Sequence, residues 1–139
     1  MSIFFDFFET EEFLLGEDKI KKWINTTVKK EDKKLGEINV VFCSDEKLLE
    51  INKQYLDHNY FTDIITFDNG FMQKVEGELF ISIDRIKDHA KERNISFEKE
   101  LYRIIIHGVL HLIGYKDKSK TDKEIMTNKE NQYLALLEE

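Results

Sequence analysis

The stretch His107-Gly108-Val109-Leu110-His111-Leu112-Ile113-Gly114-Tyr115-Lys116-Asp117 holds the residues best suited to chemistry. Two histidines four residues apart share one face of a helix, since 3.6 residues make a turn, so both imidazoles can grip one ion without backbone distortion. Gly114 predicts a left-handed helix end and a chain reversal. Asp117 follows three residues later, and three extended residues reach at most roughly 10 Å, so its carboxylate can swing back to the histidines. Two imidazoles, one carboxylate and an open fourth position describe a catalytic rather than a closed structural zinc site. A single histidine on an apolar helix face is ordinarily a hydrogen-bonded core residue. Two at ligand spacing, followed by a turn glycine and an acid, favour a metal.

The reaction class follows from what is missing. The zincin motif H-E-x-x-H carries a glutamate beside its first histidine to deprotonate the metal-bound water, and Gly108 stands in that place. A protease mechanism therefore lacks its base, and no side chain is assigned to catalysis beyond the metal-bound water. The ion itself must then lower the pKa of that water and polarise the substrate. Phosphodiester hydrolysis suits this, because charge stabilisation supplies much of phosphoryl-transfer catalysis. For an RNA substrate, water and the 2′-hydroxyl are both open as the attacking group. A glycine inside a helix costs about 1 kcal/mol relative to alanine, so close approach of backbone or substrate is expected at Gly108.

The elements that must position these residues read as one α+β domain spanning residues 1–139: a small mixed sheet flanked by helices, with the metal site on a central buried helix. Ile3–Phe8 is an apolar strand, a candidate sheet edge. Asp18–Lys30 carries Ile20, Trp23, Ile24, Thr27 and Val28 at helical spacing. Gly36–Cys43 alternates and is β-branched. Ser44 caps a helix that ends at Asp57–Phe61. Asp63–Phe67 and Glu78–Ile83 are short strands around a turn at Asn69-Gly70, and Arg85–Arg93 is a helix. Ser96 caps the motif helix, whose Leu101, Ile104, Ile105, Val109, Leu110 and Leu112 predict burial on most sides. Thr121-Asp122-Lys123-Glu124 reads as a capping box for a last helix. There are no prolines, repeats or linkers.

The 139 residues are 41% hydrophobic and 35% charged, as in an ordinary globular domain. No apolar run approaches the ~20 residues of a membrane helix. The acidic start lacks the basic region of a signal peptide, so a cytoplasmic protein without membrane partners is expected. The single Cys43 excludes an internal disulfide and reads as a small buried hydrophobe ending a strand. A net charge of −7 argues against coating nucleic acid by bulk charge. Charge is uneven: residues 1–18 have no Lys or Arg, whereas 19–34 hold seven lysines. Lys116, Lys118 and Lys120 border the motif and are candidate substrate-binding residues. Asp63 and Glu78, beside strands expected to flank the site, are candidates to orient a histidine. Arg103 sits on the face of Glu100 and His107, where it can pair with Glu100 or lean toward a phosphate.

The His107–Asp117 run resembles the signature H-G-x-L-H-L-x-G-Y-D-H of the YbeY family of rRNA maturation factors. Asn52-Lys53-Gln54-Tyr55, Thr62-Asp63-Ile64-Ile65-Thr66-Phe67 and Gly77-Glu78-Leu79-Phe80-Ile81-Ser82 resemble further family blocks in the same order, over roughly residues 36–137. The resemblance implies a small mixed sheet with a zinc site on one long helix. It also implies a metal-dependent, single-strand endoribonuclease in 16S rRNA maturation and ribosome quality control, with RNA and ribosomal components as partners and no DNA. Asp117 aligns with the family's third histidine, and Lys116 with its aspartate. An oxygen donor at Asp117 still binds Zn2+ but admits Mn2+ or Fe2+ more readily. At Leu56 the family carries an arginine associated with phosphate; leucine cannot do that, which leaves His58, Lys116 or Lys118 as substitutes, or a weaker nuclease. Two alternatives stand beside the nuclease: a ribosome-associated metal-binding protein with a vestigial site, and a small metallohydrolase with a non-RNA substrate.

Overall fold

A computed structural model describes residues 2–13 and 15–137. The elements run β1 (Ile3–Phe8), α1 (Glu17–Lys30), β2 (Lys34–Cys43), α2 (Asp45–Leu56), β3 (Ile64–Asp68), β4 (Lys74–Ser82), α3 (Ile83–Arg93), α4 (Phe97–Ile113) and α5 (Lys120–Leu137). The strands form a mixed sheet in the order β1-β2-β4-β3. β1 and β4 pair parallel to β2, and β3 pairs antiparallel to β4 as the other edge. This is the α+β domain expected, with β1 on an edge.

Strand alternation gives the sheet two faces. Ile38, Val40, Phe42, Val75, Leu79 and Ile81 are buried and join the main core with α1, α3, α4 and α5. On the opposite face α2 covers a smaller cluster of Cys43, Leu48, Ile51 and Ile65. Burial pushes the Cys43 thiol up to about 12, so it is an unreactive hydrophobe where β2 ends. α4 lies under the sheet with Leu101, Ile104, Ile105, Ile106, Val109, Leu110 and Leu112 all buried.

Local signals decide where the elements stop. Ser44, Ser82 and Ser96 each accept a backbone N–H three residues on, from Lys47, Arg85 and Lys99. The Ser82 cap starts α3 at Ile83, which therefore leaves the strand assigned to it from sequence. The last helix also starts earlier than expected. Ser119 Oγ accepts the Asp122 N–H at 3.0 Å and Asp122 Oδ2 accepts the Ser119 N–H at 3.3 Å, so the capping box is Ser119/Asp122 rather than Thr121/Glu124.

Two glycines set how closely α4 meets β3 and β4. A Cβ on Gly108 would lie 2.8 Å from Ile64 Cδ1 and 2.9 Å from Leu79 Cδ2. Packing, not substrate, explains that glycine. A Cβ on Gly77 would lie 2.3 Å from the Phe67 carbonyl oxygen and 2.8 Å from Leu112 Cδ2. Backbone cannot yield as a side-chain tip can. Gly77→Ala should therefore cost stability in the upper part of the ~1–3 kcal/mol overpacking range, and Gly108→Ala clearly less, since helix propensity returns about 1 kcal/mol. Urea unfolding of both variants checks the order; equal costs would refute it.

Candidate metal centre

Helix periodicity places His107 and His111 one turn apart on α4, and the end of α4 brings the third group in. Gly114 takes φ 128°, in the left-handed region. Its N–H and that of Tyr115 both donate to the Leu110 carbonyl, closing the helix and reversing the chain. Asp117 Oδ2 then lies 3.4 Å from His107 Nε2 and 3.4 Å from His111 Nε2, and the two Nε2 atoms are 3.0 Å apart. Donors roughly 2.0–2.2 Å from one tetrahedral ion are about 3.3–3.6 Å apart, so the triangle is close to the size a small divalent ion requires.

The far side of each ring decides what faces the centre. His107 Nδ1 lies 2.7 Å from Glu130 Oε2, and His111 Nδ1 lies 2.9 Å from the Tyr115 carbonyl oxygen. Both partners only accept, so in the neutral rings both Nδ1 atoms carry the proton and both Nε2 atoms are left as acceptors beside the Asp117 carboxylate. Three acceptors converging with no donor among them repel unless a cation sits between them. That cation is a metal or a proton. The residues fit the metal on geometry and on donor chemistry alike.

Glu130 is the residue that sequence reasoning missed. It lies on α5, only 7% exposed, between the buried Met126 and Tyr133. An acid in that apolar stripe was the available signal, because a carboxylate is buried only when paired. Arg103 Nη1 supplies the second partner, 2.8 Å from Glu130 Oε1. Arg103 thus pairs with Glu130 and not with Glu100, which is buried and held by Arg93 at 2.6 Å. Burial alone would raise the Glu130 carboxyl, but His107 and Arg103 outweigh it and hold it below its ordinary value. Burial likewise opposes charge on His107, yet the Glu130 hydrogen bond and the Glu130 and Asp117 charges raise it above 6.5.

The other candidates are dispersed. Glu78 pairs with Phe67 across the sheet and, by strand alternation, faces away from α4. There it lines a cleft of about 620 Å³ with Phe67 and Phe80. It orients neither histidine. Asp63, at the start of β3, is 4.0 Å from His89 Nδ1; its charge reaches His107, but it makes no hydrogen bond there. Lys116, Lys118 and Lys120 are exposed around Asp117. Leu56 is 40% exposed at the end of α2.

Matching the chain to known proteins gives the geometry a family. Residues 7–138 match the sequence model of the family described as Endoribonuclease YbeY. The chain belongs to the YbeY family. Relatives named Endoribonuclease YbeY include one from Cytophaga hutchinsonii, 48% identical over 97% of this chain and 95% of the relative. Another, from Flavobacterium johnsoniae, is 45% identical over 93% of each. A solution structure of a Thermotoga maritima protein superposes with TM-score 0.68 at 28% identity, covering 96% of this chain and 88% of that one. Within this YbeY fold the histidine pair is held by one contact from α5 and one from the turn after α4.

The second of these contacts runs through Tyr115, whose carbonyl holds His111. The Tyr115 phenol donates to Glu31 Oε1 at 2.5 Å, while Tyr133 and Lys129 both bond Glu31 Oε2. Glu31, at the end of α1, is thereby tied to α5 and to the turn after α4. Burial raises its carboxyl, but the three donors prevail and hold it below its ordinary 4.5. A depressed carboxyl stabilises the fold above that ordinary value and loses the contribution as pH falls through its lowered one. Glu31→Gln should therefore cost about 1–3 kcal/mol near neutral pH, with the gap to the native protein closing in acid. Urea titrations across pH test this; a gap independent of pH would mean the charge is immaterial.

Proposed function

We propose that this chain is a metal-dependent, single-strand endoribonuclease acting on rRNA in the cytoplasm, in 16S rRNA maturation and ribosome quality control, with one Zn2+ held by His107, His111 and Asp117. The observation that carries the reading is the convergence of the two Nε2 atoms and Asp117 Oδ2, 3.0–3.4 Å from one another. Membership of the YbeY family, whose relatives bear the name endoribonuclease, supports RNA as the substrate. Among the described residues no helix is long and apolar enough to cross a membrane. Asp117 as an oxygen ligand leaves Mn2+ or Fe2+ as alternatives to zinc.

When bound, the ion supplies Lewis acidity: it polarises a phosphoryl oxygen and makes water acidic enough to attack near neutral pH. The chain does the rest. Glu130 and the Tyr115 carbonyl fix both ring tautomers, so no ring rotation is needed when metal binds. Arg103 holds Glu130 ionised. Gly108 offers no carboxylate beside His107, which removes the base that a peptidase would use.

Cleavage of a single-stranded RNA by metal-loaded protein, abolished by chelator and restored by Zn2+, tests the reading. Tight metal binding with no cleavage would favour a ribosome-associated protein with a vestigial site. Binding of the strand should be local and electrostatic, with log affinity falling against log salt at a slope of about −0.7 per phosphate neutralised. Replacing Lys116, Lys118 and Lys120 with glutamine should flatten that slope by about 1–2 and leave metal content unchanged. An unchanged slope would move the phosphate contacts to the basic segment 19–34.

A further inference from the structure

The loop from Asp57 to Asp63, between α2 and β3, exposes aromatic rings and leads into the strand that packs on the histidine helix α4. Its last residue, Asp63, lies close enough for its charge to act on His107, and the next, Ile64, abuts Gly108 on α4. Tyr60 is 55% exposed and Phe61 48%, and neither joins a core cluster. About half of each ring's surface stays in water, which forgoes roughly half of the ~1.5–3 kcal/mol that full burial of each would contribute.

The rings are held rather than loose. Asn52, buried at 2% exposure on α2, donates its side-chain N–H to the Tyr60 carbonyl at 2.9 Å, and its own carbonyl accepts the His58 N–H at 3.1 Å. A buried amide is thus committed to shaping an exposed loop. Each ring is also backed on one side. His58 stacks on Tyr60 with centroids 5.1 Å apart and planes 20° apart, and their Nδ1 and hydroxyl oxygen are 2.9 Å apart. The Arg85 guanidinium lies 5.2 Å from the Phe61 centroid, itself fixed by Asp45 Oδ1 at 3.0 Å.

We propose that Tyr60 and Phe61 form a stacking shelf for bases of single-stranded RNA next to the cleaved phosphate. A ring with a polar or cationic group on one face and solvent on the other matches a flat π-surface as its next neighbour. An apolar protein groove would bring hydrophobic backing, and the backing groups are an imidazole and a guanidinium. Stacking reads no sequence, because every base has a π-face, and it carries no phosphate charge. The shelf therefore adds affinity where the chain, at net charge −7, has little electrostatic attraction to spare. It also gives the neighbourhood of Leu56 a substrate contact that leucine does not make. The proposal rests on the RNA reading of the metal centre.

The probes are a 2′-O-methylated single-stranded oligonucleotide and its abasic counterpart of equal length, with the integrity of both strands checked by gel after each titration. Binding of both to the full chain is followed by fluorescence anisotropy across salt concentrations. The native protein should prefer the base-bearing strand by about 5- to 150-fold for each base stacked. Tyr60→Ala and Phe61→Ala should each reduce that preference, and the pair should remove it, with salt slope and metal content unchanged. Tyr60→Phe, which keeps the ring, should retain the preference. Equal native affinity for the two strands would overturn the shelf while leaving the RNA reading intact. A Tyr60/Phe61 double alanine variant that keeps its preference would also overturn it, and would make the rings a surface for a protein partner. Failure of the native protein to bind either strand would overturn the RNA reading, and the shelf with it.

Discussion

His111→Ala should lower bound metal to background and abolish RNA cleavage, with the fold preserved. The ring is partly buried, 22% exposed, at the end of α4 and belongs to no core cluster, so the loss falls mainly on coordination. His107→Ala should do the same and also leave the buried Glu130 with Arg103 alone. Asp117→Ala should weaken binding without eliminating it, since two imidazoles remain. Asp117→His should keep the ion, because an imidazole replaces the carboxylate as a zinc ligand. Metal analysis and zinc titration of purified variants measure all four. Stoichiometric metal on His111→Ala would refute the centre. Because protons and metal compete for the same Nε2 atoms, metal affinity should fall as pH drops. The raised His107 makes that fall begin above 6.5 in the metal-free protein.

Glu130→Gln should reduce metal affinity roughly 10- to 100-fold, the range typical of partners that orient a metal-bound histidine. The amide keeps the size of the side chain and can still accept the His107 Nδ1 proton. It loses the negative charge that balances Arg103 and raises His107. The pH at which metal is lost should therefore move downward as well. A structural role alone would leave that pH unchanged while stability falls. Metal titrations at several pH values, set beside urea unfolding, separate the two outcomes. Native affinity and native pH dependence together would remove Glu130 from the centre.

Most of the fold was legible because its signals are local. Serine caps, the alternation of β2 and the apolar stripes of α1 and α4 each act within a few residues, and elements set by them appear where expected. The helix starts differ from expectation by about two residues, with local causes, and β4 begins at Lys74 rather than Glu78. Ser82 is both the end of a strand and the cap of a helix, and its cap role claims Ile83. The final capping box used aspartate at Asp122 in place of the glutamate expected at its third helical position. Glu78 was misplaced because its strand was known but not its facing: one step along β4 exchanges the α4 face for the α2 face.

The spacing of His107, His111, Gly114 and Asp117 determined that three ligand atoms could meet, because an i, i+4 pair and a glycine-terminated turn are geometric consequences of neighbouring residues. Gly108, standing where a zincin has its glutamate, also weighed against a peptidase. What holds each ring lay beyond that spacing. Glu130 is 23 residues from His107, and Glu31 is 84 from Tyr115. Contacts at such separations depend on how α1, α4 and α5 pack around a shared core. Only that packing chose Glu130 over Asp63 and Glu78, and gave Arg103 its partner. Burial is the physical reason: a carboxylate enters an apolar interface only where the assembled helices present it with donors, and no local pattern states which donors those will be.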